Sequence, residues 1–470
     1  MKEVGPSIFI NNNRKKFEAL ITLLCEQYDY ATLLATDVTG ISCEKNSTEF
    51  LISDSRFSER GYVIRIYHKG AIAEYSSNII PESGITGLLN LIKSNLVFTY
   101  PKDNTPQREL PREEEITESF VKTTDSGKKY STKEIRQKLE QVYEQISSLD
   151  ERIHHTRIML EHSIINKLYL SPNKNLEQHY EWAVFTAIPF FKTLKGSSFL
   201  FESLTGHNPE EIVNTSFDTK TIKNKIEGMS RAKRIQPGEY DVILSPDVSG
   251  TIAHESFGHG VETDMFIKGR ALAQDYLGKT VGSSLLTMKD GAASADNVAS
   301  YFFDDEGNLA GDTTIIDKGI FLSGLTDLAS AQSLGMKPTG NGRRESYKRK
   351  VYARMTNTYF TPGKDKKEEM IKSIKEGYLI ENMLSGMEDP KNWGIQLVCQ
   401  LGWAIKDGKL TGESFGPIYL TGFVPDVLNN ITMVSDDYKL HGSGKCGKGY
   451  KEWIKVSDGG PYIKTKMRLG

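Results

Sequence analysis

The chain has 470 residues, with 59 basic and 61 acidic side chains and 38% apolar residues. That length supports roughly two or three domains and a large core. The net charge of −2 excludes the strong positive field of a nucleic-acid-binding surface, and no apolar run reaches the ~18 residues of a membrane span.

Met1–Lys16 is polar and lacks a signal-peptide core. The four cysteines, Cys25, Cys43, Cys399 and Cys446, are scattered and form no disulfide framework, so a reduced, cytoplasmic setting is expected. Residues 14–26 carry Phe17, Leu20, Ile21 and Leu24 at helical spacing. Strand-like runs follow at Ala31–Ala35, Glu49–Ser53 and Tyr62–Tyr67, and the turn His68-Lys69-Gly70 leads into Ala71–Tyr75 as a hairpin. Residues 101–132 are polar, with Pro101, Pro106 and Pro111, and read as a linker or exposed excursion. Ile135, Leu139, Val142, Ile146, Leu149 and Ile153 then predict a long helix, with His154, His155 and His162 in or near it as surface or packing residues. Trp182–Phe185 and Ser198–Glu202 read as strands. From about Ile235 glycines multiply, and turn signals such as Asn308–Asp312, Asp317-Lys318-Gly319, Lys406–Lys409 and Asp458–Gly460 separate short apolar runs. The expected fold is α+β: an N-terminal α/β region with helices and a small mixed sheet over 1–234, then a large β-rich, mostly antiparallel domain over 235–470.

The second domain opens on a buried strand, Tyr240–Leu244, then turn chemistry at Ser245-Pro246-Asp247, then a helix carrying His254-Glu255-Ser256-Phe257-Gly258-His259. Two imidazoles and a carboxylate in six residues are the parts of a metal site that activates water. In the familiar H-E-x-x-H pattern the histidines are i and i+4, offset by roughly 40° on a helix, so both reach one ion. The i+5 spacing here gives roughly 140°, too far on a regular helix. Either an i→i+5 turn is present or the helix loosens near its end. Gly258 and Gly260 favour the second option, and a helix from Ser249 to Gly258 with a distorted last turn is expected.

A catalytic zinc usually takes three protein ligands. Glu262, Asp264 and Cys446 are the candidates for the third. Cys446 lies in a glycine-rich loop between Lys445 and Lys448, whose charges favour the thiolate. Cys25 and Cys399 read as packing residues. In Gly340-Asn341-Gly342-Arg343-Arg344-Glu345-Ser346 the two arginines either bind a substrate carboxylate or oxyanion, or pair with Asp304, Asp305 or Glu306. Asn357, in the alternating run Arg354–Tyr359, either holds a peptide backbone or belongs to a plain strand.

Several of these segments together carry a resemblance: His254–Asp264, Asp304-Asp305-Glu306-Gly307, Met336–Tyr347, Arg354–Tyr359 and Lys445-Cys446-Gly447-Lys448. In order and approximate spacing over 235–450 the chain resembles the TldD/PmbA metalloproteases, once described as modulators of DNA gyrase, and within them the TldD-type catalytic member. The resemblance implies one Zn2+ per chain on His254, His259 and Cys446, with Glu255 as catalytic acid/base. It also implies a substrate of unstructured peptide or unfolded protein, and pairing as a homodimer or with a metal-free PmbA/TldE-type subunit. The expected activity is peptide hydrolysis through metal-activated water. The competing readings are a non-enzymatic regulator, gyrase-modulating or chaperone-like, with a structural metal, and a hydrolase of non-peptide amides or esters.

Overall fold

A computed structural model describes residues 7–98, 118–124, 127–450 and 452–470. The first helix, Ile8–Cys25, is capped by the Ser7 hydroxyl, which accepts from the Ile10 N–H, and it buries Ile10, Phe17, Leu20, Ile21 and Leu24 along one stripe. Its sheet has nine strands, with a central path in the order Ala71–Ser77, Glu59–His68, Tyr30–Lys45, Ile153–Leu170, Lys174–Thr193 and Glu118–Thr123. The pairings are antiparallel except the last.

Three expectations for this half need correction. Glu118–Thr123, within the stretch read as a linker, adds a parallel edge strand, while 101–117 lies outside the described residues. The helix with the Ser131/Glu134 capping box runs only Thr132–Ser147. Ile153, which continued the helical spacing, instead opens an 18-residue strand that also holds His154, His155 and His162. That strand pairs with a 20-residue partner buried for much of its length on both faces, so alternation is too faint to mark it in the sequence.

The second sheet has 11 strands. Five of them close a ring: Gly238–Leu244, Glu376–Asp389, Gly394–Lys406, Ile418–Phe423 and Ser457–Leu469. Closure occurs because Gly238–Leu244 pairs in parallel with Glu376–Asp389 and antiparallel with Ser457–Leu469. The remaining path leaves the ring through Asn357–Phe360, Met288–Asp290, Thr313–Asp317 and Ile320–Phe321. Positive φ at Asp407 and Gly408, and at Lys318 and Gly319, makes the two tight turns expected there. Asp458–Gly460, by contrast, lies inside a strand. Its glycines permit a close approach: a Cβ on Gly250 would fall 2.4 Å from the Gly459 Cα.

This contact positions the motif. The helix Pro246–Thr251 follows directly from the first ring strand and packs on Ser457–Leu469, and the next turn adds Ile252, Ala253 and Phe257 to the core shared with Leu397, Leu420 and Leu469. Among the described residues no helix is long and apolar enough to cross a membrane.

Candidate metal centre

The helix does not loosen at its last turn. It becomes a π-helix over Ile252–Gly258, then a single 3-10 turn over His259–Val261. The His259 N–H donates to the His254 carbonyl, an i→i+5 bond. This is the first of the two options the spacing allowed, and it corrects the expectation of a distorted helix end. Wider winding turns each residue by less, so positions five apart come onto one face. The His254 and His259 rings lie 5.1 Å apart at 89°.

Cys446 reaches them from a separate hairpin, Lys445–Lys448 paired with Glu452–Lys455. Its Sγ is 3.4 Å from His259 Nε2, and one ligand atom from each of His254, His259 and Cys446 lies within 4.8 Å of the others. All but His259 are buried. Burial opposes charge on each, but mutual attraction outweighs it. The Cys446 thiol is held well below its ordinary range by His259 and His254, His254 is raised to about 8, and Cys446 and Glu262 raise His259 well above its ordinary value. Two imidazoles and a thiolate are a donor set that zinc-type ions accept. The buried Nδ1 of His254 also has no hydrogen-bond partner, so the residues present fit such an ion.

Glu262 lies behind this trio. Its Oε2 accepts from His259 Nδ1 at 3.2 Å and from Lys448 Nζ at 2.9 Å. Burial works against its charge, but Lys448 and His259 keep it ionised well below the usual carboxylate range. Fixing Nδ1 turns Nε2 toward Cys446. Lys448 also donates to Asp264 at 2.5 Å, tying the hairpin to the segment after His259. Arg354, fully buried, donates to the Cys446 carbonyl at 2.7 Å and the Glu452 carbonyl at 3.2 Å. Sequence reasoning missed Arg354 as a clamp, because a backbone contact leaves no pattern.

Glu255 is half-buried, and burial raises its pKa against the pull of His254 and His259. It has room because Gly386 faces it: a Cβ there would lie 2.8 Å from Glu255 Cγ. Two positions along the same strand, Glu388 comes so near Gly260 that a Cβ on that glycine would meet its Oε1 at 2.7 Å. Burial pushes Glu388 well above the usual carboxylate range. Neither Gly386 nor Glu388 stands in a recognisable motif; the only signal was their shared face.

The other singled-out residues are largely engaged by the fold, with Arg344 Nε left without a partner. Arg343 donates to the carbonyls of Met355 at 2.6 Å and Lys455 at 2.8 Å. Arg344 donates to the Arg349 carbonyl and to Glu74. The Asn357 amide donates to Gly291, Ala295 and Ser300, and its oxygen accepts from Ser457. The role of Asn357 as a peptide-holding residue is therefore corrected: its side chain is fully buried and spent. Of the two readings for the arginines, ion pairing with Asp304, Asp305 or Glu306 is not what the side chains do: Asp305 pairs with Lys167, Glu306 with Arg65, and Arg344 with Glu74.

The fold and site define a β-rich domain in which two imidazoles and a thiolate converge as a donor set that could hold one metal ion, with a carboxylate beside it. Residues 237–469 match the PmbA/TldA metallopeptidase C-terminal domain, and the chain belongs to the TldD/PmbA family through this half. It is 34% identical over 253 residues to a zinc metalloprotease TldD homolog of Saccharolobus solfataricus, covering 53% of this chain and 55% of that protein. The chain spans about half the length of the curated relatives it matches. A Thermotoga maritima protein named as a candidate modulator of a DNA gyrase shares the fold, with TM-score 0.77, 17% identity and coverage of 97% of this chain and 100% of that one. TldE of Thermococcus kodakarensis does so at TM-score 0.71 and 15% identity, over 97% and 100%.

Proposed function

We propose that the chain is a zinc-dependent peptidase acting on unstructured peptides, with one ion per chain on His254, His259 and Cys446. The observation that carries this reading is the convergence of these three ligand atoms within 4.8 Å, with Glu255 inside the same π-turn. The names of the relatives, metalloproteases, agree with it. A zinc ion held there supplies Lewis acidity and brings the pKa of a coordinated water toward ~7.

Glu255 accepts the proton of the attacking water and returns it to the leaving amine. Its burial brings its pKa upward, nearer to a working pH, which suits a group that must both take and give a proton. Glu262 keeps His259 oriented, and Arg354 and Lys448 keep Cys446 on its hairpin. In this reading 235–470 is the catalytic domain and 1–234 an N-terminal region, a division supported by each sheet drawing its strands from one side of it. The chain works as a homodimer or beside a PmbA/TldE-type subunit. A reducing, cytoplasmic compartment suits a site that needs a free thiol, and all four cysteines are free.

The test is metal analysis of the purified protein, followed by incubation with an unfolded peptide with and without a chelator. Wild-type protein cleaves, chelation stops it, and Glu255→Gln keeps its metal while losing about 10²–10⁴-fold in rate. Wild-type cleavage by Glu255→Gln would overturn the role of Glu255. Bound metal with no cleavage of any peptide would favour the non-enzymatic regulator that the Thermotoga relative's name suggests.

A further inference from the structure

Behind the Cys446 hairpin lies a cavity of about 100 Å³ between the nine-stranded sheet and the loops and small hairpins of the second half. Lys445 and Lys455 form a cross-strand pair next to the Cys446–Ile454 pair, so they face the opposite side of the hairpin from Cys446. Lys455 lines this cavity and is only 9% exposed, yet its Nζ has no hydrogen-bond partner. The ring of Trp182, another wall of the cavity, lies 4.8 Å from it. The Arg344 side chain, 6% exposed, is a second wall, and its Nε is also buried without a partner.

The carboxyl groups of the same cavity are already engaged. Asp305 pairs with Lys167 and accepts the Arg344 backbone N–H. Glu345 accepts the Trp453 N–H at 2.9 Å. Burial pushes Glu59 up to about 7, so its charge is only partial at neutral pH. The cavity therefore keeps two N–H donors without acceptors, Lys455 Nζ and Arg344 Nε, and a buried donor without a partner is costly.

We propose that this cavity binds a small carboxylate through Lys455 and Arg344. The volume limits the ligand to a carboxylate with a short body, which rests on the Trp182 wall. The ionised Asp305 favours a monoanion over a phosphate dianion. Burial, with Lys445 nearby, pushes the Lys455 amine down to about 7, and an anion bound beside it would favour the charged form. Two sources share this chemistry: a free short-chain acid and the C-terminus of a peptide.

Thermal unfolding of the full chain tests the site directly, without reference to hydrolysis. The probes are propionate and N-acetyl-dialanine, each beside its amide, and inorganic phosphate. The expected result is a concentration-dependent rise in Tm with at least one carboxylate and with neither amide. A response to propionate alone identifies a free acid, and one to the dipeptide alone identifies a chain terminus. Lys455→Met keeps or raises the ligand-free Tm, because an unpartnered buried amine is removed, and weakens carboxylate binding by about tenfold. Arg344→Gln carries the same test should Lys455→Met not fold. Equal responses to acid and amide, a response to phosphate alone, no response at all, or unchanged binding by the variant would each overturn the proposal.

Discussion

His259 and Glu262 sit three residues apart, with Nδ1 3.2 Å from Oε2, on a chain that has just left a π-turn. The pair gives the imidazole one orientation. Glu262→Gln keeps the shape but loses the charge that makes Nδ1 the protonated nitrogen. Metal affinity falls by about 10–100-fold, measured by competition with a chromophoric chelator. Equal affinities for the two proteins would show that Glu262 serves only to balance Lys448.

Metal affinity also depends on pH, and the sign follows from His254. Its ring carries a proton up to about 8 in the metal-free protein, while a metal takes the neutral ring. As pH falls below ~8 a proton must leave for each ion bound, so affinity drops by about tenfold per pH unit for each proton displaced. A pH indicator in weak buffer reads the released protons directly. Affinity that rises on acidification would contradict the arrangement.

Gly386 is the space in which Glu255 stands. A methyl group there meets Glu255 Cγ at 2.8 Å and Leu397 Cδ2 at 3.0 Å, so Gly386→Ala displaces the carboxyl while leaving His254, His259 and Cys446 in place. Peptide cleavage falls by about 10²-fold with metal content unchanged. Parallel loss of metal and activity would mean that the variant disturbs the whole π-turn.

Glu74 tests how the two halves are joined. Burial opposes its charge, but Arg65 and Arg344 outweigh burial and hold it at about 2, below its ordinary 4.5. A depressed carboxylate pKa contributes stability that is present above the unfolded value and lost as pH falls toward the folded one. Glu74→Gln therefore costs about 2 kcal/mol at neutral pH, after discounting for partial exposure. The gap between the two urea midpoints stays constant down to pH ~5 and narrows below ~4.5. A gap independent of pH would point to packing instead of charge.

The sequence showed where periodicity was one-sided and local. Phe17, Leu20, Ile21 and Leu24 mark their helix because one stripe is buried. The strands Ile153–Leu170 and Lys174–Thr193 hide their length because much of both faces is covered. His254 and His259 could be set in one turn from spacing alone, yet spacing could not choose a π-turn over a frayed end, since that depends on how Ile252 and Phe257 pack. Nothing local separates Cys446 from Glu262 or Asp264 as the third donor. Their difference, Cys446 facing His259 Nε2 while Glu262 faces Nδ1 and shares Lys448 with Asp264, exists only after the hairpin docks. Asn357 could be read as a peptide-holding residue or as part of a plain strand, and the four partners that decide it come from segments 57 to 100 positions away.

Cys446 follows His259 by 187 positions. During synthesis the two histidines emerge long before the thiol, and a nascent chain holds only two of the three donors. Two ligands make a weak, exchangeable site, whereas the third closes a long loop at an entropic cost that grows only slowly with its length. On the proposed ligand set, high-affinity loading waits for the last ring strands and the hairpin between them, and metal capture would report that the second domain has finished folding.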